Sequence, residues 1–180
     1  YMGSLGAALG SMVANLSSHK RGWDDLWEEY SKTAEKGQHY KAELLNLVDE
    51  DTKAFNNIML AFRLPKNTDE QKQKRKQAIQ DATQNAIEVP FKIMELSYES
   101  MQVMKEMAEK GLEASVSDAG VGALAAKAAV SGAYLNVKIN LSGLNDKQFA
   151  EDIKTKGAEI EKKADELHRE ILETVNKKIA

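Results

Sequence analysis

Leu44, Val48, Asp51, Phe55, Ile58 and Phe62 recur at steps of 4, 3, 4, 3 and 4, the spacing of one helical face. One member of that apolar stripe is a carboxylate. An unpaired carboxylate at a core-facing position is costly, so two readings stand side by side. Asp51 pairs with a Lys or Arg of a neighbouring helix, or it serves as a general acid/base or as the group that recognises a polar ligand in a cleft. Burial is also what lifts a carboxylate's pKa toward neutrality, where proton transfer is done. Asp49 and Glu50 flank it on other faces, where solvated surface is expected.

Asn136 and Asn140 stand four apart and in line with Gly132, on a segment otherwise made of small residues. Helices disfavour Asn. The two amides either cap or bridge helices, or they form a ladder that reads a heterocyclic ligand. His39 has Glu35 and Glu43 at i−4 and i+4, and His168 follows Asp165. Neither makes the paired Glu-x-x-His motifs of a di-iron bundle, so no metal site is expected. No spacing supports Ser/His/Asp catalysis. Lys66, Lys72, Lys74, Arg75 and Lys76 outweigh Asp69 and Glu70, and form either a solvated face or a cradle for an anionic tail. Met94, Met101, Met104 and Met107 read as core filling.

The elements that must position these residues are helices. A first helix is expected from Tyr1 to about Ser17, carrying Leu5, Leu9, Met12 and Leu16, with Gly6 and Gly10 as a small-xxx-small step. A second runs from about Trp23 to Phe62, with a break near Gly37, and Leu64-Pro65 ends it. Thr68 to Gln71 is a capping box that opens the third, which holds Pro90 and stops at Gly111. Pro90 should kink it. Ser117-Asp118 is expected to cap a fourth helix over Ala119 to Leu141, and Asn145 a fifth. No run alternates with period 2. The fold class is therefore all-α, an elongated bundle of about five helices with one Pro-kinked, over a single domain spanning 1–180. A straight helix of about 40 residues spans roughly 60 Å, and elongated bundles gain by pairing with themselves, so a homodimer is expected.

Composition narrows the function classes. The 180 residues carry 25 Lys+Arg against 28 Asp+Glu, a net charge of −3, which argues against nucleic acid as the main partner. Absence of cysteine removes thiolate metal sites and Cys nucleophiles, and suits a cytoplasmic protein. Tyr1–Ser18 holds no charge and Ala119–Val137 only Lys127, yet both are Gly/Ala/Ser-rich. Tightly packed inner helices are expected there, not membrane spans. Tyr1 is not an initiator Met, so the N-terminus reads as truncated.

Four blocks, in order, carry a resemblance. Leu5 to Asn15 (LGAALGSMVAN), Leu47 to Phe55 (LVDEDTKAF), Phe62 to Thr68 (FRLPKNT), and Ser117-Asp118 followed by Gly132 to Leu141 (GAYLNVKINL) resemble the formiminotetrahydrofolate cyclodeaminase / methenyltetrahydrofolate cyclohydrolase family. The Pro-Gly-Gly-Gly-Ser turn that normally precedes the first block is absent. The resemblance implies an all-helical dimer acting on a tetrahydrofolate one-carbon unit, with no cofactor beyond that substrate. A formiminotransferase is a fused partner in some relatives. The implied reaction closes 5-formiminotetrahydrofolate to 5,10-methenyltetrahydrofolate with release of ammonia; ring-opening hydrolysis of the methenyl compound is the alternative. A third reading is an inactive helical scaffold. Histidine degradation is one route that makes the formimino compound. The family's catalytic aspartate falls in the second block, at Asp51 or Asp49. The stripe favours Asp51 as the buried one, since Asp49 points about 200° away. Asp118, Asn136 and Asn140 match polar positions that would read the pterin edge, and Arg63 and Lys66 are candidates for the glutamate tail.

Overall fold

The computed structural model describes residues 1–180 as five α-helices without strands: α1 (Met2–Ser18), α2 (Trp27–Arg63), α3 (Asp69–Lys110), α4 (Val116–Leu141) and α5 (Lys147–Ile179). Short 3-10 turns at Asp24–Leu26 and Glu113–Ser115 lead into α2 and α4. Gly22, at φ 88°, supplies the positive φ needed by the turn after α1. α3 packs against all four other helices; in front of it α2, α1, α4 and α5 lie side by side in that order. At 42 residues α3 is about 63 Å long, so the bundle is elongated as its helix lengths demand.

The sequence signals for the helix ends hold in part. The Thr68 hydroxyl accepts from the Gln71 backbone N–H and the Gln71 side chain returns the bond, a complete capping box. α2 runs unbroken through Gly37. A break was the expectation, but Gly37 has a packing reason to be small: a Cβ there would lie 2.7 Å from that of Ser11 on α1. α4 begins three residues earlier than expected, with Ser115 at its N-cap, so Ser117 and Asp118 are first-turn residues and not the cap. The fifth helix is capped by Asp146, whose carboxylate accepts from Phe149 N at 3.0 Å, and not by Asn145. α3 stays helical across Pro90.

Small residues face inward. On α1 the buried positions are Gly3, Ser4, Gly6, Ala7, Gly10, Ser11, Val13, Ala14 and Ser17, whereas Leu5, Met12 and Leu16 are exposed. The backbones of α1 and α4 nearly touch: a Cβ on Gly6 would lie 2.7 Å from the Gly122 carbonyl oxygen. α1 runs antiparallel along α2, where Ser4 Oγ donates to Lys41 O and Ser11 Oγ donates to Ala34 O. Behind them Met94, Met101, Met104 and Met107 are fully buried beside Val13, Val130 and Ile171, so the methionines do fill the core. No helix is long and apolar enough to cross a membrane.

The lengths of α1 and α2 create the site. With 17 residues against 37, α1 covers α2 only as far as Leu44 and Val48. Beyond that point α2 has α3 alone to pack on, and only Ala54 and Ala61 are buried. The stripe expected to face the core therefore divides. Leu44 is buried, Val48, Asp51 and Ile58 are half-buried, and Phe55 and Phe62 are 62% and 51% exposed.

Candidate active-site groove

α2 and α4 do not pack on each other, and a groove runs between them. Its floor is α3, with Ala86, Pro90 and Ile93, and the first turn of α1 closes one end. One compartment, of about 290 Å³, lies under Tyr1 to Ser4 and against Gly132 and Ala133 of α4. A second, of about 410 Å³, continues along Thr52, Phe55, Ile58 and Asn140. Asp51 and Asn136 line both compartments and so mark the point where they meet. These volumes fall in the range of small-molecule sites.

Asp51 is a groove-wall carboxylate. It was expected to be buried in the core, but it is half-buried, because the cover of α1 ends one turn before it. It also lacks the Lys or Arg partner that a structural carboxylate would have: no ion pair of the chain includes it. Asp49, two residues earlier, is exposed and lines neither compartment.

The polar residues of α4 are held from behind. Asn140 Nδ2 donates to the Ala86 carbonyl at 3.0 Å and to Asn136 Oδ1 at 3.1 Å. The inter-helix bond first considered for these amides is thus present for Asn140. Asn136 Nδ2 makes no hydrogen bond within the protein, and the residue lines both compartments. Gly132, one turn before Asn136, would carry a Cβ with nothing within 4 Å of it.

The structure does not bring the remaining candidates here. Asp118 sits in the first turn of α4, about 27 Å along that helix from Asn136. Arg63 ends α2, about 18 Å from Asp51 along the axis, and Lys66 follows in the turn to α3. Both basic residues are exposed and line neither compartment. Among the groove residues that sequence reasoning missed are Pro90, Ala86 and Gly132. Pro90 carried a signal, since proline deep inside a helix leaves a carbonyl free. No three His, Asp or Glu side chains converge so as to hold a metal ion.

Comparison with known proteins matches residues 1–159 to the family described as Formiminotransferase-cyclodeaminase. A protein of Methylorubrum extorquens named methenyltetrahydrofolate cyclohydrolase is 37% identical over 98% of this chain and 85% of its own length. The formimidoyltransferase-cyclodeaminase of Rattus norvegicus is 36% identical over 82% of this chain. The match takes in about a quarter of that longer protein, 27% of its length. Among solved structures, the formiminotetrahydrofolate cyclodeaminase of Thermotoga maritima superposes with a TM-score of 0.86. That match covers 99% of this chain and 85% of the other at 22% identity, a likeness of fold.

Proposed function

Because the chain belongs to the formiminotransferase-cyclodeaminase family, we propose that it is a folate one-carbon enzyme working in the Asp51 groove. The observation that supports this most is the half-buried carboxylate without a cationic partner, set beside an amide at the meeting of two compartments. In 5-formiminotetrahydrofolate the N10 amine attacks the formimino carbon and forms the N10–C bond that closes the five-membered ring. The bond from that carbon to the formimino nitrogen then breaks, and ammonia leaves 5,10-methenyltetrahydrofolate behind. The formimino group reacts as its protonated amidinium, N5–CH=NH₂⁺: N10 loses one proton, the departing NH₂ gains it to leave as NH₃, and the positive charge stays on the methenyl product. A single carboxylate that accepts the first and delivers the second ends as it began. Asp51 is assigned that shuttle, and the atoms balance without a redox step.

A second reading has its own support. The Methylorubrum relative, aligned over nearly the whole chain, is named as a cyclohydrolase. In that reaction water adds to the methenyl carbon and the ring opens; of the two protons the water loses, one passes to the nitrogen released and the other to solvent. The same carboxylate serves both. A glutamate tail leaving the groove along α2 would pass toward Arg63 and Lys66, where cations suit its carboxylates.

Methenyltetrahydrofolate absorbs in the near ultraviolet, so one assay separates the readings. Formation of that chromophore together with ammonia from 5-formiminotetrahydrofolate is the expected result. Loss of chromophore from added methenyl compound, with none formed from the formimino compound, would assign the hydrolase. Neither change, with no folate binding by calorimetry, would leave a helical scaffold.

The assembly is part of the proposal. Leu5, Met12 and Leu16 of α1 and Val121, Leu124, Leu135 and Ile139 of α4 are exposed on neighbouring helices. The one charge in Ala119–Val137, Lys127, turns instead to Asp165 of α5 at 3.8 Å. An apolar, charge-poor face of this kind suits a second copy of the chain. Sedimentation at micromolar concentration is expected to show a dimer; a monomer alone would overturn that assembly.

A further inference from the structure

A proline inside a helix removes one backbone donor, and the carbonyl four residues earlier must bond elsewhere. In α3 that carbonyl belongs to Ala86, and Asn140 Nδ2 donates to it across the helix interface at 3.0 Å. A carbonyl oxygen only accepts. The Asn140 amide therefore has one orientation, with its nitrogen toward Ala86. The second hydrogen of the same NH₂ goes to Asn136 Oδ1 at 3.1 Å. Asn136 must then present its oxygen to Asn140 and turn its own NH₂ away. The orientation of a groove amide is thus traced back, bond by bond, to the missing N–H of Pro90.

We propose that Asn140 is a positioning residue. Anchored on the Ala86 carbonyl that Pro90 exposes, it holds Asn136 as a fixed hydrogen-bond donor into the groove, beside the acceptor Asp51. The groove then selects a ligand that shows an acceptor, a carbonyl oxygen or a ring nitrogen, to α4 and a donor to α2. An unconstrained Asn136 could flip and would accept either. The orientation stands on geometry alone; its use for a folate rests on the function proposed above.

The test is Asn140→Leu, made in the wild type and in Pro90→Ala. Alanine at 90 restores a backbone N–H, so the Ala86 carbonyl regains its helical partner. Asn140→Leu is expected to lower stability in the wild type and much less in Pro90→Ala, which keeps the double variant folded. The side-chain NH₂ pair of Asn136 is followed by ¹⁵N-resolved NMR, assigned by its disappearance in Asn136→Asp. That pair is expected to shift and broaden in Pro90→Ala, which releases the anchor, and in Pro90→Ala/Asn140→Leu, each relative to wild type. KM for the folate substrate should rise about 3- to 10-fold over wild type in both variants, the worth of one hydrogen bond, with a smaller change in kcat. An unaltered Asn136 signal would overturn the positioning role. An altered signal with unchanged KM would overturn the donor role. If wild type turns over no folate, the proposed function fails, and the NMR comparison still decides the positioning role.

Discussion

Asp51→Asn is expected to lower turnover by about 10²- to 10⁴-fold, the range that general acid/base catalysis contributes, with the thermal unfolding midpoint little changed. The substitution keeps the shape of the side chain and its ability to accept a hydrogen bond. It removes the ability to take a proton from N10 and give it to the departing nitrogen. Stability should hold because Asp51 has no ion pair to lose and is only half-buried. Asp49→Asn is the matched control. Its side chain is exposed and outside both compartments, so turnover should stay within about twofold, the usual latitude of a surface site. Both variants are read by chromophore formation and by circular-dichroism melting. Near-normal turnover in Asp51→Asn, or a large loss in Asp49→Asn, would move the chemistry off the groove wall.

The helices and their order were legible because apolar periodicity and capping chemistry are local. Thr68 and Gln71 announce the start of α3 by themselves, and the complete capping box forms. Asn145 was misleading because the next residue, Asp146, carries the carboxylate that reaches Phe149 N. The stripe containing Asp51 was readable as a face but not as a groove. Whether a helical face is core or cleft depends on how far its neighbour extends, and α1 stops short of Asp51 for reasons lodged in the length of another segment. The separation of Asp118 from Asn136 has a local cause instead: both belong to one 26-residue helix, and 18 residues at roughly 1.5 Å each place them about 27 Å apart.

The charge-poor segments illustrate the opposite error. Tyr1–Ser18 and Ala119–Val137 were expected to be inner helices, and their Gly and Ala faces do meet at Gly6 and Gly122. Several of their larger residues nevertheless point outward, with Leu5 50% and Leu135 64% exposed. Close backbone approach requires small residues where α1 and α4 meet, which turns Leu5, Met12, Leu16, Val121, Leu124 and Leu135 to the surface. A composition that reads as buried on all sides is satisfied here only once the outer face is covered as well, which is why the proposed dimer concerns α1 and α4.

Gly132→Leu is expected to weaken ligand binding at least about tenfold without harming the fold. Glycine inside a helix costs about 1 kcal/mol relative to alanine, so a helical glycine calls for a reason. At Gly6 the reason is packing, since a Cβ would press on the α4 backbone. At Gly132 packing supplies none: a Cβ there meets nothing within 4 Å, and the residue faces the compartment shared by Asp51 and Asn136. The open space belongs to the groove. A leucine would project into a cavity of about 290 Å³ and occupy much of what a flat ring needs. Helix propensity favours the change by up to about 1 kcal/mol, so the unfolding midpoint in urea should stay level or rise. KM should rise at least about tenfold, equivalent to about 1.4 kcal/mol of lost binding, and calorimetry should show the same loss for tetrahydrofolate. Gly132→Ala, which adds one methyl group, should fall between the two. Full binding by a stable Gly132→Leu protein would mean that the ligand sits elsewhere. A loss of binding accompanied by unfolding would mean that the glycine serves the fold after all.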